Sequence, residues 1–147
     1  FNCMLSRRKA RENAFIALFS TSFGNSVEEA IPLAEEEGAG YELDDFARGL
    51  LRCYESHSQA VDQEIELRLK GWNVKRLQKV NLAILRLAVG EMLFGSEPDL
   101  DSVIINEAVE IAKRFGGDGD YQFINGVLGS IARDKEKAAP ETPQEVP

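Results

Sequence analysis

The sequence predicts a single all-α domain that ends in a disordered tail, and three features of its 147 residues lead to this prediction. Apolar residues recur every three or four positions along most of the chain, which is the spacing of one face of an α-helix. No segment alternates polar and apolar residues over a sustained stretch, so we expect no β-sheet. A hydrophobic content of 44% at this length is enough for one core without disulfide or metal support.

Two helices are predicted at the N-terminal end of the chain. The first should begin after Ser6, which can cap it. Its apolar face consists of Ala10, Ala14, Phe15, Leu18 and Phe19. The second should begin at the capping box formed by Ser26 and Glu29 and should end near Gly38. Because Pro32 lies six residues after this cap, we expect the second helix to be short or bent.

Four further helices are predicted, and the first of them is long. Its apolar stripe follows Asp44, includes the only histidine, His57, and is closed by Gly71. After a turn at residues 73–77, the remaining apolar stripes lie at residues 80–92, 103–115 and 120–131. The domain should therefore occupy residues 5–133. Residues 134–147 hold three of the five prolines and many charges, so we expect a disordered tail that adds little to the stability of the fold.

Net charge and charge distribution point in different directions. The chain carries 17 Lys and Arg against 25 Asp and Glu, a net charge of −8, whereas a nucleic-acid-binding domain is ordinarily basic. Eight of the acidic residues, and no Lys or Arg, lie in residues 28–45, a segment that we interpret as a solvated face. By contrast, four cations lie within five residues, at Arg7, Arg8, Lys9 and Arg11. One end of the molecule is therefore expected to be strongly positive.

No constellation of catalytic residues is found, so we expect no enzyme activity, no cofactor and no metal site. His57 lies on an apolar stripe and is interpreted as a packed or edge histidine rather than a general base. Cys3 and Cys53 have neither the spacing of a metal knuckle nor a charged neighbour that would activate a nucleophile. The aspartate pairs at 99/101 and 118/120 are interpreted as loop and helix-capping residues.

The sequence also bears on the cellular compartment. No apolar run reaches the roughly 20 residues needed to cross a bilayer, and the N-terminal residues lack the apolar core of a secretory signal. Two cysteines without disulfide spacing favour a reducing environment. We therefore expect a cytoplasmic protein without a membrane partner.

The basic cluster at the start of the first helix breaks a local rule. Cations on a first helical turn oppose the helix macrodipole, and a sequence selected for stability alone would place Asp or Glu there. Departures of this kind tend to occur at functional sites. Contacts to a phosphate backbone would explain the cluster, and guanidinium groups can also stack on the bases of a single strand. A merely solvated basic end is the alternative that composition leaves open.

Four sequence blocks match those of a known family, in the same order along the chain. They are RKARE at 8–12 with ALF at 17–19, VNLAILRLA at 80–88 with Glu91, INEAVEIAK at 105–113, and FINGVL at 123–128. Over residues 7–131 the chain thereby resembles the bacterial transcription antitermination factor NusB family. The resemblance implies an all-α, NusB-like bundle of two packed subdomains with about six to seven helices. It also implies binding of the boxA element of nascent ribosomal RNA, together with the ribosomal small-subunit protein NusE, in an RNA polymerase antitermination complex.

The resemblance assigns roles to nine residues of this chain. The RNA contacts that it implies are Arg7, Arg8, Lys9 and Arg11 at the start of the first helix, Gln122 and Phe123 at the start of the last, and Arg86. The contacts to NusE that it implies are Phe19 and Asn81. Asn81 stands where the family often has a carboxylate and Gln122 where it can have a lysine, so we expect a lost charge pair with NusE at the first position and a weakened phosphate contact at the second. Burial in the core remains an alternative for both phenylalanines, and an ordinary surface role remains one for Arg86.

Two other functions stay open at this point. The chain resembles the NusB-like N-terminal domain of some ribosomal RNA methyltransferases, although that function needs a further domain that binds S-adenosylmethionine. It is also compatible with a helical protein-interaction module that does not bind RNA. Monomeric and homodimeric states are both consistent with the sequence.

Overall fold

The computed structural model describes residues 5–36, 38–71, 73–97 and 99–138, and within these ranges it contains seven α-helices and no β-strand. The α-helices are α1 (Arg7–Ser20), α2 (Val27–Glu35), α3 (Asp45–Ser56), α4 (Ser58–Glu66), α5 (Lys79–Phe94), α6 (Asp101–Phe115) and α7 (Asp120–Ala138). Two short 3₁₀-helices, Thr21–Phe23 and Val74–Arg76, follow α1 and precede α5. The all-α prediction is confirmed. None of the described helices is both long and apolar enough to cross a membrane. Cys3 and residues 139–147 lie outside the described residues.

Helix α5 forms the centre of the fold. It contacts α1, α3, α4, α6 and α7, and eleven of its sixteen residues are buried, which is more than a single stripe. Helices α1, α2 and α3 contact one another to form one group, and α6 and α7 pack together to form another. The buried residues of both groups belong to one continuous hydrophobic core. The two groups therefore share α5 as their common support.

The predicted helix starts after Ser6 and Ser26 are confirmed. The Ser6 hydroxyl accepts a hydrogen bond from the Lys9 amide at 3.1 Å, and the Ser26 hydroxyl accepts one from the Glu29 amide at 3.2 Å. Helix α2 continues through Pro32 but is only nine residues long, which confirms a short helix. Because proline removes a backbone donor from the helix interior, α2 gains little from extending further and ends earlier than predicted.

The prediction of a single long helix after Asp44 is wrong, because the backbone breaks at His57 between α3 and α4. His57 has φ −128° and ψ 26°, and its amide donates to the Tyr54 carbonyl at 3.0 Å. The exposed His57 ring is stacked on Phe94 of α5, with ring centroids 3.9 Å apart, so it is an edge histidine as expected. Both helices contact α5, so the apolar stripe continues across the break and the periodicity does not reveal it.

The last helix is longer than the sequence indicates. The tail predicted to begin at Asp134 starts inside α7, which corrects the predicted domain boundary. Arg68 binds Asp134, and the Lys135 ammonium group donates to the Met92 carbonyl at 2.5 Å and to Asp101 at 2.9 Å. These contacts attach the end of α7 to α5 and α6. Asp134 and Lys135 are part of the helix because their partners lie elsewhere in the fold. The composition of the segment carries no information about those partners.

Replacing Lys135 with Ala should lower the free energy of unfolding by about 1 kcal/mol, because the Met92 carbonyl and Asp101 lose a charged donor. For a domain of this size, we expect the melting temperature to fall by about 3 °C. Lys137→Ala is the matched control, since Lys137 lies on the same helix and makes no ion pair with a described residue. Thermal unfolding followed by circular dichroism measures both variants, and equal melting temperatures would contradict the docking of α7.

Candidate nucleic-acid and partner interface

The four cations of the N-terminal cluster lie on the first two turns of α1 and point toward different helices. Successive helix residues are rotated by about 100°, so neighbours in sequence face different elements. Each cation has a carboxylate partner, and the pairs are Arg7–Glu97 (3.5 Å), Arg8–Glu107 (3.0 Å), Lys9–Glu12 (3.5 Å) and Arg11–Glu91 (2.7 Å). The cluster is therefore neutralised within the protein rather than left as a bare positive end.

Arg11 is the buried member of the cluster, with a side chain only 6% exposed. Its Nε and Nη2 atoms donate to the two carboxylate oxygens of Glu91 on α5, at 2.9 and 2.7 Å. These hydrogen bonds raise the pKa of Arg11 against the opposing effect of burial. The guanidinium group holds α1 against α5 and is not accessible to a phosphate. This corrects the prediction of Arg11 as an RNA contact.

Arg7 points toward α3. Its guanidinium carbon lies 3.8 Å from the ring centroid of Phe46, and more than half of each side chain in its ion pair with Glu97 is exposed. An exposed pair of this kind contributes little to stability and opens readily. Arg7 is therefore accessible, and its role as an RNA contact stays a prediction.

Arg8 faces α6, and Lys9 shares a carboxylate of α1 with a cation of α6. Arg8 donates to Glu107 of α6 through Nε at 3.0 Å and through Nη2 at 3.4 Å. The carboxylate of Glu12 forms ion pairs with both Lys9, at 3.5 Å, and Arg114, at 2.9 Å. Glu12 thereby joins the start of α1 to the end of α6.

The last turn of α6 extends this positive region to α7. The Lys113 ammonium group lies 5.1 Å from the ring centroid of Tyr121 on α7, and the Arg114 guanidinium lies 5.3 Å from that of Phe115. We call the set Arg8, Lys9, Lys113, Arg114 and Tyr121 the basic surface. Sequence reasoning does not identify Lys113 and Arg114, because the macrodipole alone favours cations in the last turn of a helix.

The second predicted RNA patch lies at the start of α7, beside the basic surface. The Asp120 carboxylate accepts a hydrogen bond from the Gly117 amide at 2.7 Å, which orders the loop before α7. Gln122 and Phe123 follow Tyr121, and both are exposed. Phe123 is therefore not a core residue, and an exposed aromatic ring can stack on a base. The contacts of these two residues with RNA stay a prediction.

Arg86 belongs to a different part of the molecule. Its Nε and Nη2 atoms donate to Asp62 of α4 at 3.0 and 2.9 Å, and its side chain is only 22% exposed. Tyr54 donates to the same carboxylate at 3.2 Å, and burial raises the pKa of Tyr54. This link to α4 explains why Arg86 lies off the core face of α5. The role of Arg86 as an RNA contact stays a prediction.

The two predicted partner contacts, Phe19 and Asn81, differ in exposure. Phe19 is half-buried, and its ring meets Phe23 edge to face with centroids 5.2 Å apart. Phe23 is 64% exposed, and the Lys79 ammonium group lies 4.6 Å from its centroid. Asn81 is only 6% exposed, and its Oδ1 has no hydrogen-bond partner among the described residues, so its role as a contact to NusE stays a prediction without an accessible side chain to support it. We call Phe19, Phe23 and Lys79 the aromatic face.

The described part of the chain assembles no group that resembles a catalytic centre. No cluster of three or more His, Cys, Asp or Glu side chains in these ranges could hold a metal ion. Burial raises the pKa of the Cys53 thiol, and the charge of Glu91 acts in the same direction, so the thiol stays protonated at neutral pH. The Cys53 thiol instead donates to the Gly90 carbonyl at 3.4 Å, which is a packing role.

An all-helical domain whose exposed cations lie beside exposed aromatic rings has the surface chemistry that is typical of nucleic-acid-binding and protein-interaction domains. The model of the NusB family matches residues 8–133. A relative, the transcription antitermination protein NusB of Thermus thermophilus, is 43% identical over 138 residues, which cover 86% of this chain and 90% of the relative. The chain therefore belongs to the NusB family.

Solved structures agree with this assignment. T. maritima NusB is 34% identical, with a TM-score of 0.78, and the match covers 92% of this chain and 98% of that one. A second structure contains the antitermination factors NusB and NusE in complex with double-stranded RNA. Its matching chain is 25% identical, with a TM-score of 0.70, and the match covers 87% of this chain and 96% of that one. The resemblance identified from the four sequence blocks is confirmed.

Replacing Arg11 with Ala should lower the free energy of unfolding by about 3–5 kcal/mol, because the Glu91 carboxylate is then left buried without its partner. The double variant Arg11→Met/Glu91→Leu should recover most of this loss, since it removes both charges from the interior. Arg7→Ala breaks an exposed pair and should cost less than about 1 kcal/mol. Urea denaturation measures all three variants, and wild-type stability of Arg11→Ala would rule out the structural role of the pair.

Proposed function

We propose that this protein is a transcription antitermination factor that binds boxA-type single-stranded RNA together with NusE. In this proposal it acts in the bacterial cytoplasm, within an RNA polymerase antitermination complex on ribosomal RNA transcripts. Family membership supports the antitermination role, and a structurally similar complex that contains NusB, NusE and RNA supports the two partners. The RNA of that complex is double-stranded, so the single-stranded class is argued from the residues of this chain.

The observation that carries the RNA part of the proposal is the continuity of the basic surface. The two RNA patches implied by the resemblance lie at the starts of α1 and α7, far apart in sequence. Glu12 connects the first patch to Arg114, and Lys113 lies over Tyr121 next to the second patch. The end of α6 thus bridges the two patches. This arrangement lets one strand contact both.

The residue types on this surface fit a single strand better than a duplex. Bases of a single strand expose their faces and stack on aromatic rings, whereas a duplex hides those faces and is recognised through its backbone. Tyr121 is an exposed ring beside Lys113, Phe115 lies next to Arg114, and Phe123 is a further exposed ring on α7. The surface therefore offers phosphate contacts and stacking contacts together.

The aromatic face is the proposed contact for NusE. Aromatic residues are enriched in protein interfaces, and Phe23 is a largely exposed ring on this face. A row of ring contacts begins at the aromatic face: Phe23 meets Phe19, Phe19 stacks on Phe15, and Phe15 meets Phe115. The row reaches the basic surface there, because Phe115 lies next to Arg114. A partner bound at the aromatic face would therefore lie close to the bound RNA. This proximity supports a joint site in which NusE increases the affinity for RNA.

Replacing Arg8 and Arg114 together with Ala should weaken binding to a boxA-like RNA roughly tenfold, because two phosphate contacts are lost. The slope of log affinity against log salt concentration should flatten by about 1.4, the value expected for two contacts on a single strand. Fluorescence anisotropy titrations at several salt concentrations measure both quantities, with and without NusE.

The matched control for this experiment is Arg52→Ala/Lys75→Ala. Both residues are exposed cations outside the basic surface, and neither makes an ion pair with a described residue. The control removes the same net charge, so it should change the affinity much less if the surface itself binds RNA. Equal affinities and equal salt slopes for the two double variants would contradict the RNA-binding assignment.

Replacing Phe23 with Ala should weaken NusE binding about tenfold, because aromatic anchors are among the few interface residues whose truncation costs more than about 1 kcal/mol. The fold should be unaffected, since the ring is largely exposed. Leu33→Ala is the control, because Leu33 is an exposed apolar residue of α2 outside the aromatic face. Isothermal titration calorimetry with NusE measures both variants, and an unchanged affinity for Phe23→Ala would place the NusE site elsewhere.

A further inference from the structure

The carboxylates within the basic surface neutralise most of its positive charge. The ion pairs there are Arg8–Glu107 (3.0 Å), Lys9–Glu12 (3.5 Å), Arg114–Glu12 (2.9 Å) and Lys113–Glu110 (3.6 Å). Four cations thus face three carboxylates, which leaves a single net positive charge. Because a polyanion is attracted by net local charge, such a surface binds it weakly until a carboxylate is displaced.

Glu107 differs from the other two carboxylates in its surroundings. Its side chain is 13% exposed and that of Arg8 is 64% exposed, much as for Glu12 and Arg114, so the arginine can swing outward while the carboxylate stays in place. Glu107 also raises the pKa of the buried Arg11, so a positive charge remains near it after Arg8 has moved. Glu12 is instead shared by two cations that join α1 to α6, and Glu110 pairs within its own helix. Glu107 is therefore the carboxylate that is most easily exchanged.

The hydrogen bonds of Arg8 show what an exchange requires. Its Nε and Nη2 atoms donate to Glu107 at 3.0 and 3.4 Å, and these bonds raise the pKa of Arg8. A phosphate group offers two acceptor oxygens in a similar arrangement, and arginine binds phosphate in this bidentate manner. Because Arg8 is 64% exposed and the charge of Arg11 also acts on Glu107, the guanidinium of Arg8 leaves the carboxylate with a modest loss of free energy. One anion can therefore replace the other on the same guanidinium.

We propose that Glu107 limits the affinity of the basic surface for RNA: it neutralises Arg8 in the free protein, and a phosphate of the bound strand takes its place. This inference rests on the proposed RNA-binding function and adds a residue to which the resemblance assigns no role. Because Arg8 must leave Glu107 before it binds a phosphate, the affinity of this chain alone for RNA is lower than it would be with an unpaired Arg8. Tight binding then depends on further contacts, such as those that a bound partner protein supplies.

Glu107→Gln tests the inference, because it removes the charge and keeps the shape of the side chain. At about 0.1 M salt, we expect about threefold tighter binding to a boxA-like RNA and to an oligouridine strand, since Arg8 then donates to a phosphate without first leaving an ion pair. Glu55→Gln is the matched control. Glu55 is an exposed residue of α3 without an ion pair to a described residue, so its neutralisation should leave the RNA affinity nearly unchanged.

A double-mutant cycle determines whether Glu107 acts through Arg8. In the Arg8→Ala background, Glu107→Gln should change the affinity no more than Glu55→Gln does. The inference is overturned if Glu107→Gln binds no tighter than the control, or if its gain persists in full without Arg8. Wild-type RNA binding by Arg8→Ala would instead contradict the proposed RNA site itself, so the two failures are distinguishable. Melting temperatures of all variants establish that each one is folded.

Discussion

The buried ion pair between Arg11 and Glu91 determines how the first helix meets the rest of the molecule. It sets the rotation of α1 on α5, and because helix residues are spaced by about 100°, the same rotation directs Arg7 toward α3 and Arg8 toward α6. A buried charge without its partner is strongly unfavourable, so other rotations of α1 are disfavoured. The positions of the accessible cations therefore depend on the one cation of the cluster that is inaccessible.

Segregation of charge explains how an acidic chain carries a basic surface. The eight acidic residues of segment 28–45 include members of α2, of α3 and of the loop between them, whereas the cations of the basic surface lie on α1 and α6. At physiological salt, charges more than about 8 Å apart are largely screened from each other, so the overall net charge of −8 does not determine the local potential. Within the basic surface, the carboxylates also order the cations. The affinity of this surface for a polyanion then depends on how its charges are arranged more than on the total charge of the chain.

Features that act within one helix could be predicted, and features that depend on a neighbouring helix could not. The caps at Ser6 and Ser26 involve backbone amides three residues away, and both are present as predicted. The break at His57 leaves the apolar stripe intact because α3 and α4 both contact α5, so periodicity did not reveal it. The end of α7 is ordered by the contacts of Lys135 with α5 and α6, although its composition resembles that of a disordered segment.

The sequence by itself determined the all-α class and the family, because helical spacing, caps and motif order are properties of the chain alone. Only the tertiary structure decided which polar residues remain accessible. It pairs Arg11 and Arg86 with carboxylates, buries Asn81, and brings Lys113 and Arg114 between the two predicted RNA patches. The physical reason is that burial and ion pairing depend on which helix faces meet, and residues 80 positions apart, such as those of the Arg11–Glu91 pair, carry no local signal of their contact.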